Sequence, residues 1–198
     1  VANFHRRGFE SVSYRFDFDD GLSASGVWLS AAGIPSAAAV TIFIDDKGRR
    51  ASGESASDRV NRGEHALAAD LLFTGDAIPT QPSYPTFDRM LVALDRPSVG
   101  LRAAQLNALA KWARRQGAAR VRLESKGIRS QITALVAAAL EPALWSEVDS
   151  RDGLRSLGEV YERGLEYLTY PELFCLDLYR EFDLDRIRSL GPVPRRPQ

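Results

Sequence analysis

Cysteine is almost missing from this 198-residue chain: Cys175 stands alone, so no disulfide can form within it. Histidine is nearly as scarce, with only His5 and His65 present. Net charge is absent too, because 26 Lys and Arg balance 26 Asp and Glu. A neutral chain is a poor candidate for nucleic-acid binding through bulk electrostatics. No apolar run approaches the ~18 residues of a membrane span. The opening stretch VANFHRRGFE lacks the apolar h-region of a signal peptide. Nucleic acid and membrane are therefore not expected as partners, and the location stays open. An initiator Met is also lacking, so the chain is expected to be processed or cut from something longer. What remains is an ordinary globular composition, 44% hydrophobic and 26% charged, long enough for one domain with a core. No internal repeat or low-complexity tract interrupts it.

Periodicity supplies the elements. SVSYRFDF (11–18) alternates, with Val12, Tyr14, Phe16 and Phe18 on one side, as in a half-buried strand. DDG (19–21) signals a hairpin turn, and SASGVWLS (23–30) returns as its antiparallel partner. The continuous apolar runs AAVTIFI (38–44) and HALAADLLF (65–73) predict strands buried on both faces. RVRLES (120–125) and ALWSEVDS (143–150) predict two more. Residues 98–117 predict a helix stopped by Gly117, and SQITALVAAAL (130–140) a deeply buried one. Helical turns are expected at 57–63, and surface helices at 154–164 and 183–191. Residues 45–55 and the proline-rich 74–86 read as loops, and 192–198 as a frayed end. A hairpin followed by strand–helix units implies an α/β fold, a mostly parallel sheet with helices on both faces.

Some residues invite chemistry. Asp45, Asp46, Asp70 and Asp76 fall near the ends of predicted parallel strands, the edge where ligands bind in open α/β sheets. Four carboxylates there suit a hard cation such as Mg²⁺ or Ca²⁺. Their spacing matches no recognised metal motif, so solvated loop acids are expected, with no metal and no cofactor. Cys175, in the apolar LFCLDLY, is expected to be a buried, inert thiol. GRRASGES (48–55) carries glycine and basic residues without phosphate-loop spacing. A central strand at 120–125 would bury Arg122 and Glu124, which are therefore expected to be paired, or to lie on a wetter face.

Four stretches, in order, resemble the α/β-hydrolases, nearest the bacterial acetyl xylan esterases and the related dienelactone-hydrolase-like esterases. AAVTIFIDDKG resembles the strand that leads into the oxyanion loop, and RGEHALAADLLFTGDA the next unit, whose outline Asp70 and Gly75 keep. SVGLRAAQLNALAKWARRQGAARVRLES resembles the helix and strand before the nucleophile. GIRSQITALVAAALEP resembles the helix after it. The resemblance covers most of 11–194.

That family needs Gly-x-Ser-x-Gly at a strained turn, with a histidine base oriented by an acid. Here the resemblance puts Gly127 at the nucleophile position, with Ser125 and Arg129 in place of the two glycines. Under a shifted register Ser125 or Ser130 are the candidate nucleophiles. Leu123 is too large for the small-residue pattern around Ser125, and Ser130 suits a helix N-cap. The oxyanion-like loop maps to Asp46, Lys47, Gly48 and Ile128. His5 lies before the first predicted strand, and His65 is expected at a partly exposed strand edge. The family's late acid and histidine have no counterpart, because FDLDRIRSLGPVPRR resembles only the lead-in to the strands that carry them.

The resemblance thus implies a single α/β-hydrolase-like domain, incomplete or part of a larger esterase, with its last strands missing and its catalysis lost. An accessory role is expected. The alternatives are a carboxylic-ester hydrolase using a non-standard serine, or a small-ligand or anion-binding module using helix N-terminal amides beside Lys126. The uncovered 143–149 strand implies a partner there, either a neighbouring hydrolase domain or a second copy.

Overall fold

The computed structural model describes residues 2–6, 8–79, 81 and 83–192, with side chains left out at 2–6, 176 and 177. The reading of 192–198 as a frayed end falls, from 193 on, outside the described residues. Seven strands form one sheet: β1 (Ala2–Arg6), β2 (Phe9–Asp17), β3 (Ser23–Ala31), β4 (Val40–Asp45), β5 (His65–Asp70), β6 (Val121–Lys126) and β7 (Glu147–Arg151). Their order is β1-β2-β3-β5-β4-β6-β7. Pairing is antiparallel from β1 through β3 to β5, and parallel from β5 through β4 and β6 to β7. The antiparallel part is thus larger than the expected hairpin, because β1 adds a strand where an N-terminal tail was expected.

Seven α-helices accompany the sheet among the described residues: α1 (Gly53–Asn61), α2 (Tyr84–Ala93), α3 (Ser98–Arg115), α4 (Ile128–Leu140), α5 (Glu159–Glu162), α6 (Leu176–Glu181) and α7 (Leu184–Leu190). Strand side chains alternate between faces, and the two faces of β4 separate two cores. Val40, Ile42 and Ile44 join Leu106, Leu109, Ala110 and Ala134 under α3 and α4. Phe43 faces the other way, onto Ala56 and Val60 of α1. Trp112 of α3 fixes the antiparallel part, with Tyr14 and Phe16 each at 5.1 Å and Trp28 at 5.4 Å in edge-on contact. Asn107 ties α3 to α4, donating to the Ala137 carbonyl at 3.1 Å and accepting from the Trp145 indole at 3.1 Å.

A third core lies between α4 and the C-terminal segment, where Ile128, Ile132 and Leu135 meet Leu154, Leu173, Leu184 and Ile187. The expected surface helix at 183–191 is therefore half core. The one expected at 154–164 shrinks to the single turn of α5, while α1 begins earlier than expected, at Gly53. The proline-bearing stretch before β6 contains α2, a helix that periodicity did not predict, with Pro85 in its first turn, where a missing N–H costs nothing.

Candidate functional site

The parallel strands β4, β5 and β6 end together at Asp45, Asp70 and Lys126, the edge where an open α/β sheet takes its ligands. The turn from β6 into α4 has the shape of a nucleophile elbow. Gly127 caps the helix at φ 98°, ψ 170°, a conformation open to glycine and strained for other residues. The space beside it is occupied. A Cβ added at Gly127 would lie 2.5 Å from Asp46 Oδ2 and 2.8 Å from Asp46 Cβ, well inside the ~3.5 Å of an ordinary carbon contact.

Asp46 sits there because α4 needs acceptors for its first amides. Its Oδ2 accepts from the Arg129 N–H at 3.1 Å and its Oδ1 from the Ser130 N–H at 2.7 Å. A carboxylate suits that position, at the positive end of the helix dipole. The N-terminus read from the sequence as an anion site thus already holds the chain's own anion. Ser130 is not the N-cap either, since Gly127 holds that place and Ser130 is the third residue of α4.

Two of the remaining oxyanion-like positions, Lys47 and Gly48, are engaged as well. Lys47 N–H donates to Asp45 Oδ1 at 2.8 Å, and Gly48 N–H to the Asp45 carbonyl at 2.9 Å. Ile128 is buried in the third core. Asp70, 1% exposed, accepts from Arg49 N–H at 2.6 Å and from Asp76 N–H at 3.2 Å, and pairs with the Arg49 guanidinium. That guanidinium also reaches Asp76 at 2.5 Å. A side chain at Gly75 would strike the Asp70 carboxylate, which explains glycine there. Three of the four acids are not simply solvated, since Asp45, Asp46 and Asp70 accept backbone N–H groups, whereas Asp76 is exposed and pairs with Arg49 at the surface. No cluster of three or more metal-ligating side chains occurs among the described residues.

Among the described side chains, no histidine is hydrogen-bonded to Ser125 or Ser130. Ser125 lies within β6, 3% exposed, and donates to Ser150 Oγ at 2.8 Å and the Asp149 carbonyl at 3.3 Å. His65 is buried in β5, an interior strand, not at a partly exposed edge. Its ring stacks on Trp28 at 5.0 Å, and Nε2 stands 3.1 Å from the Pro35 carbonyl. His5 lies in β1, its side chain outside the described residues. Cys175 is half-buried, not buried, and precedes α6. Arg122 and Glu124 are paired as expected. Arg122 pairs with Glu64 and, at 3.2 Å, with Glu147, while Glu124 takes Arg59 at 2.6 Å.

Above Asp46 lies a buried charge cluster that sequence reading missed. Glu172, on the 3-10 turn Pro171–Phe174, places a fully buried carboxylate between Arg129 at 2.7 Å and Arg102 at 3.6 Å. Tyr84 donates its hydroxyl to Glu172 and accepts from Arg102 at 3.2 Å, and the Arg129 guanidinium lies over the Tyr84 ring at 5.0 Å. Burial by itself would lower the pKa of Arg129, but Glu172, Tyr84 and Asp46 together hold it above its ordinary value. Burial pushes the Tyr84 phenol up, with Glu172 adding to the rise and the two arginines opposing it. Ser98 donates to Asp88 and accepts from Arg102 at 3.3 Å, which extends the network into α2 and α3. No sequence signal joins these residues, since Arg102 and Glu172 are 70 positions apart.

No family model and no curated protein sequence matches the chain. Solved structures do. A cold-adapted esterase from an Arctic intertidal metagenomic library superposes with TM-score 0.60 at 17% identity, over 87% of this chain and 72% of that one. An acetyl xylan esterase from Paenibacillus sp. R4 gives 0.63 at 14% identity, over 97% and 66%. The dienelactone hydrolase of Anabaena variabilis ATCC 29413 gives 0.52 at 19% identity, over 74% and 65%. With the parallel β5-β4-β6-β7 core, the glycine elbow between β6 and α4 and these superpositions, the chain has the α/β-hydrolase fold.

Proposed function

We propose that this chain is an esterase-like domain of the acetyl xylan esterase type that does no acyl transfer and serves an accessory, structural role. The observation that carries this reading is the Asp46 carboxylate beside Gly127. Acyl transfer needs a nucleophile at the elbow, a base within hydrogen-bond reach of it and free amides for the developing oxyanion. Gly127 supplies no attacking atom, Asp46 fills the space one would use, and the amides of Arg129 and Ser130 donate to that same carboxylate. The internal pairing of Ser125 with Ser150 speaks against a hidden nucleophile, and Asp46 speaks against an anion-binding module.

The test is hydrolysis of para-nitrophenyl acetate by the purified chain and by a Ser125→Ala, Ser130→Ala double variant. Both are expected at the background rate. Substantial turnover by the parent that disappears in the double variant would overturn the reading.

A further inference from the structure

Among the described residues, β7 closes the sheet and meets no strand on its outer side. Its backbone direction follows from its pairing. The Gly127 N–H donates to the Arg151 carbonyl at 2.9 Å, and with the parallel register this turns the backbone groups of Glu147, Asp149 and Arg151 towards β6. Those of Val148 and Ser150 therefore point outwards, with no strand partner among the described residues. The charged side chains share one face of the strand, and those of Glu147, Asp149 and Arg151 are 61%, 45% and 61% exposed. The edge also borders a groove of about 490 Å³ of mixed lining, with Leu135, Val148 and Ile187 beside Arg122, Glu147 and Arg188.

We propose that β7 pairs with β7 of a second copy, antiparallel about a two-fold axis through Asp149. An open strand edge is a template for another strand, and charge on the edge usually decides which strands it admits. Here the charge pattern Glu-x-Asp-x-Arg is complementary to its own reverse. About an axis at Asp149, Glu147 faces Arg151 of the second copy at both ends, and the outward groups of Val148 meet those of Ser150. Other registers are poorer. An axis at Val148 sets Glu147 against Asp149 twice, and cross-strand like charges repel. An axis at Ser150 sets Asp149 against Arg151 twice, but its ladder is shorter, because Val148 then faces Asp152, whose φ of 56° has already left the strand.

The chosen register brings the two Asp149 carboxylates together at the axis, each with Arg151 of its own chain 2.9 Å away. That residual repulsion identifies the register. The two grooves then flank one seam of a continuous sheet. This inference goes beyond the accessory reading by naming its partner, and it stands whether or not the chain hydrolyses esters.

The experiment is analytical ultracentrifugation of the intact chain and three variants across a concentration series. The parent is expected to form a concentration-dependent dimer. Ser150→Pro removes an outward N–H and should abolish it. Arg151→Glu sets Glu147 against a new carboxylate and should weaken association at least tenfold, on the order seen for interfacial charge pairs. Asp149→Asn relieves the contact at the axis and should tighten association about two- to fivefold. Circular-dichroism melts show which variants are folded; the two charge variants decide the matter should the proline variant not fold. A parent that stays monomeric to ~1 mM, where even weak pairing registers, would overturn the proposal. So would unchanged association in Arg151→Glu, or weaker association in Asp149→Asn.

Discussion

The crest above β4, β5 and β6 and the open side of β7 treat charge in opposite ways. At the crest, Asp46 caps α4, Asp70 binds Arg49, and Glu172 lies between Arg102 and Arg129. Each of these carboxylates takes donors from its own chain. At β7, Glu147, Asp149 and Arg151 are largely exposed, with their ion pairs to Arg122 and to one another at the surface, beside backbone groups that meet no strand among the described residues. On the accessory reading proposed above, this is a hydrolase fold that keeps its shape while its own side chains occupy the crest. The amides of Arg129 and Ser130 and the guanidiniums of Arg49, Arg102 and Arg129 hold side chains of the same chain.

The largest effect should come from Glu172. Removing one member of a buried ion network leaves its partners charged and desolvated, which costs about 3–5 kcal/mol. Glu172→Ala strands both guanidiniums and the Tyr84 hydroxyl, so a loss of that size is expected in urea unfolding. Glu172→Gln keeps the shape and should lose less. A cost near zero for Glu172→Ala would mean that the crest is open, and the contrast with β7 would fail.

A smaller loss is expected at Asp46. Asp46→Ala leaves two amides of α4 without an acceptor, which costs about 1–3 kcal/mol. It also uncovers a helix N-terminus, where anions bind. Sulfate should therefore stabilise Asp46→Ala more than it stabilises the parent, and an equal response would show that the crest had no latent anion site.

These two predictions rest on residues the sequence treated unequally. The strands β4 and β5 were legible because VTIFID and HALAAD are buried along their whole length, and uninterrupted apolar runs have few other uses. The elbow was legible because Gly127 stands between a strand and an alanine-rich helix. Asp46 was placed in the right loop, but its partners are 83 and 84 residues away, and no local pattern encodes that meeting. Glu172 gave no sign at all: PELF reads as a turn, and only the packing of the third core brings it under Arg102. His65 was misplaced for a related reason. At the start of its strand it reads as partly exposed, but β3 and β4 flank β5 on both sides and the ring packs on Trp28.

The smallest effect is a slope rather than a level, and it belongs to the tyrosines of the crest. Burial pushes the phenols of Tyr84 and Tyr179 well above their ordinary value, with Glu172 adding to both. The raised value in the folded chain fixes the sign. Below the unfolded value of about 10 both phenols are neutral in either state, and their contribution is fully present. As pH rises above that value, the unfolded chain releases protons that the folded chain retains, so stability falls with pH. Each tyrosine should remove about 1 kcal/mol between pH 10 and 11. Tyr84→Phe and Tyr179→Phe should each flatten the alkaline part of a urea-midpoint curve by about that amount, whatever they cost at neutral pH. Arg151→Glu, at the open edge, should leave the slope unchanged. A parent and a Tyr84→Phe variant with parallel curves above pH 10 would place the Tyr84 hydroxyl in water, and the crest would then resemble the edge it is contrasted with.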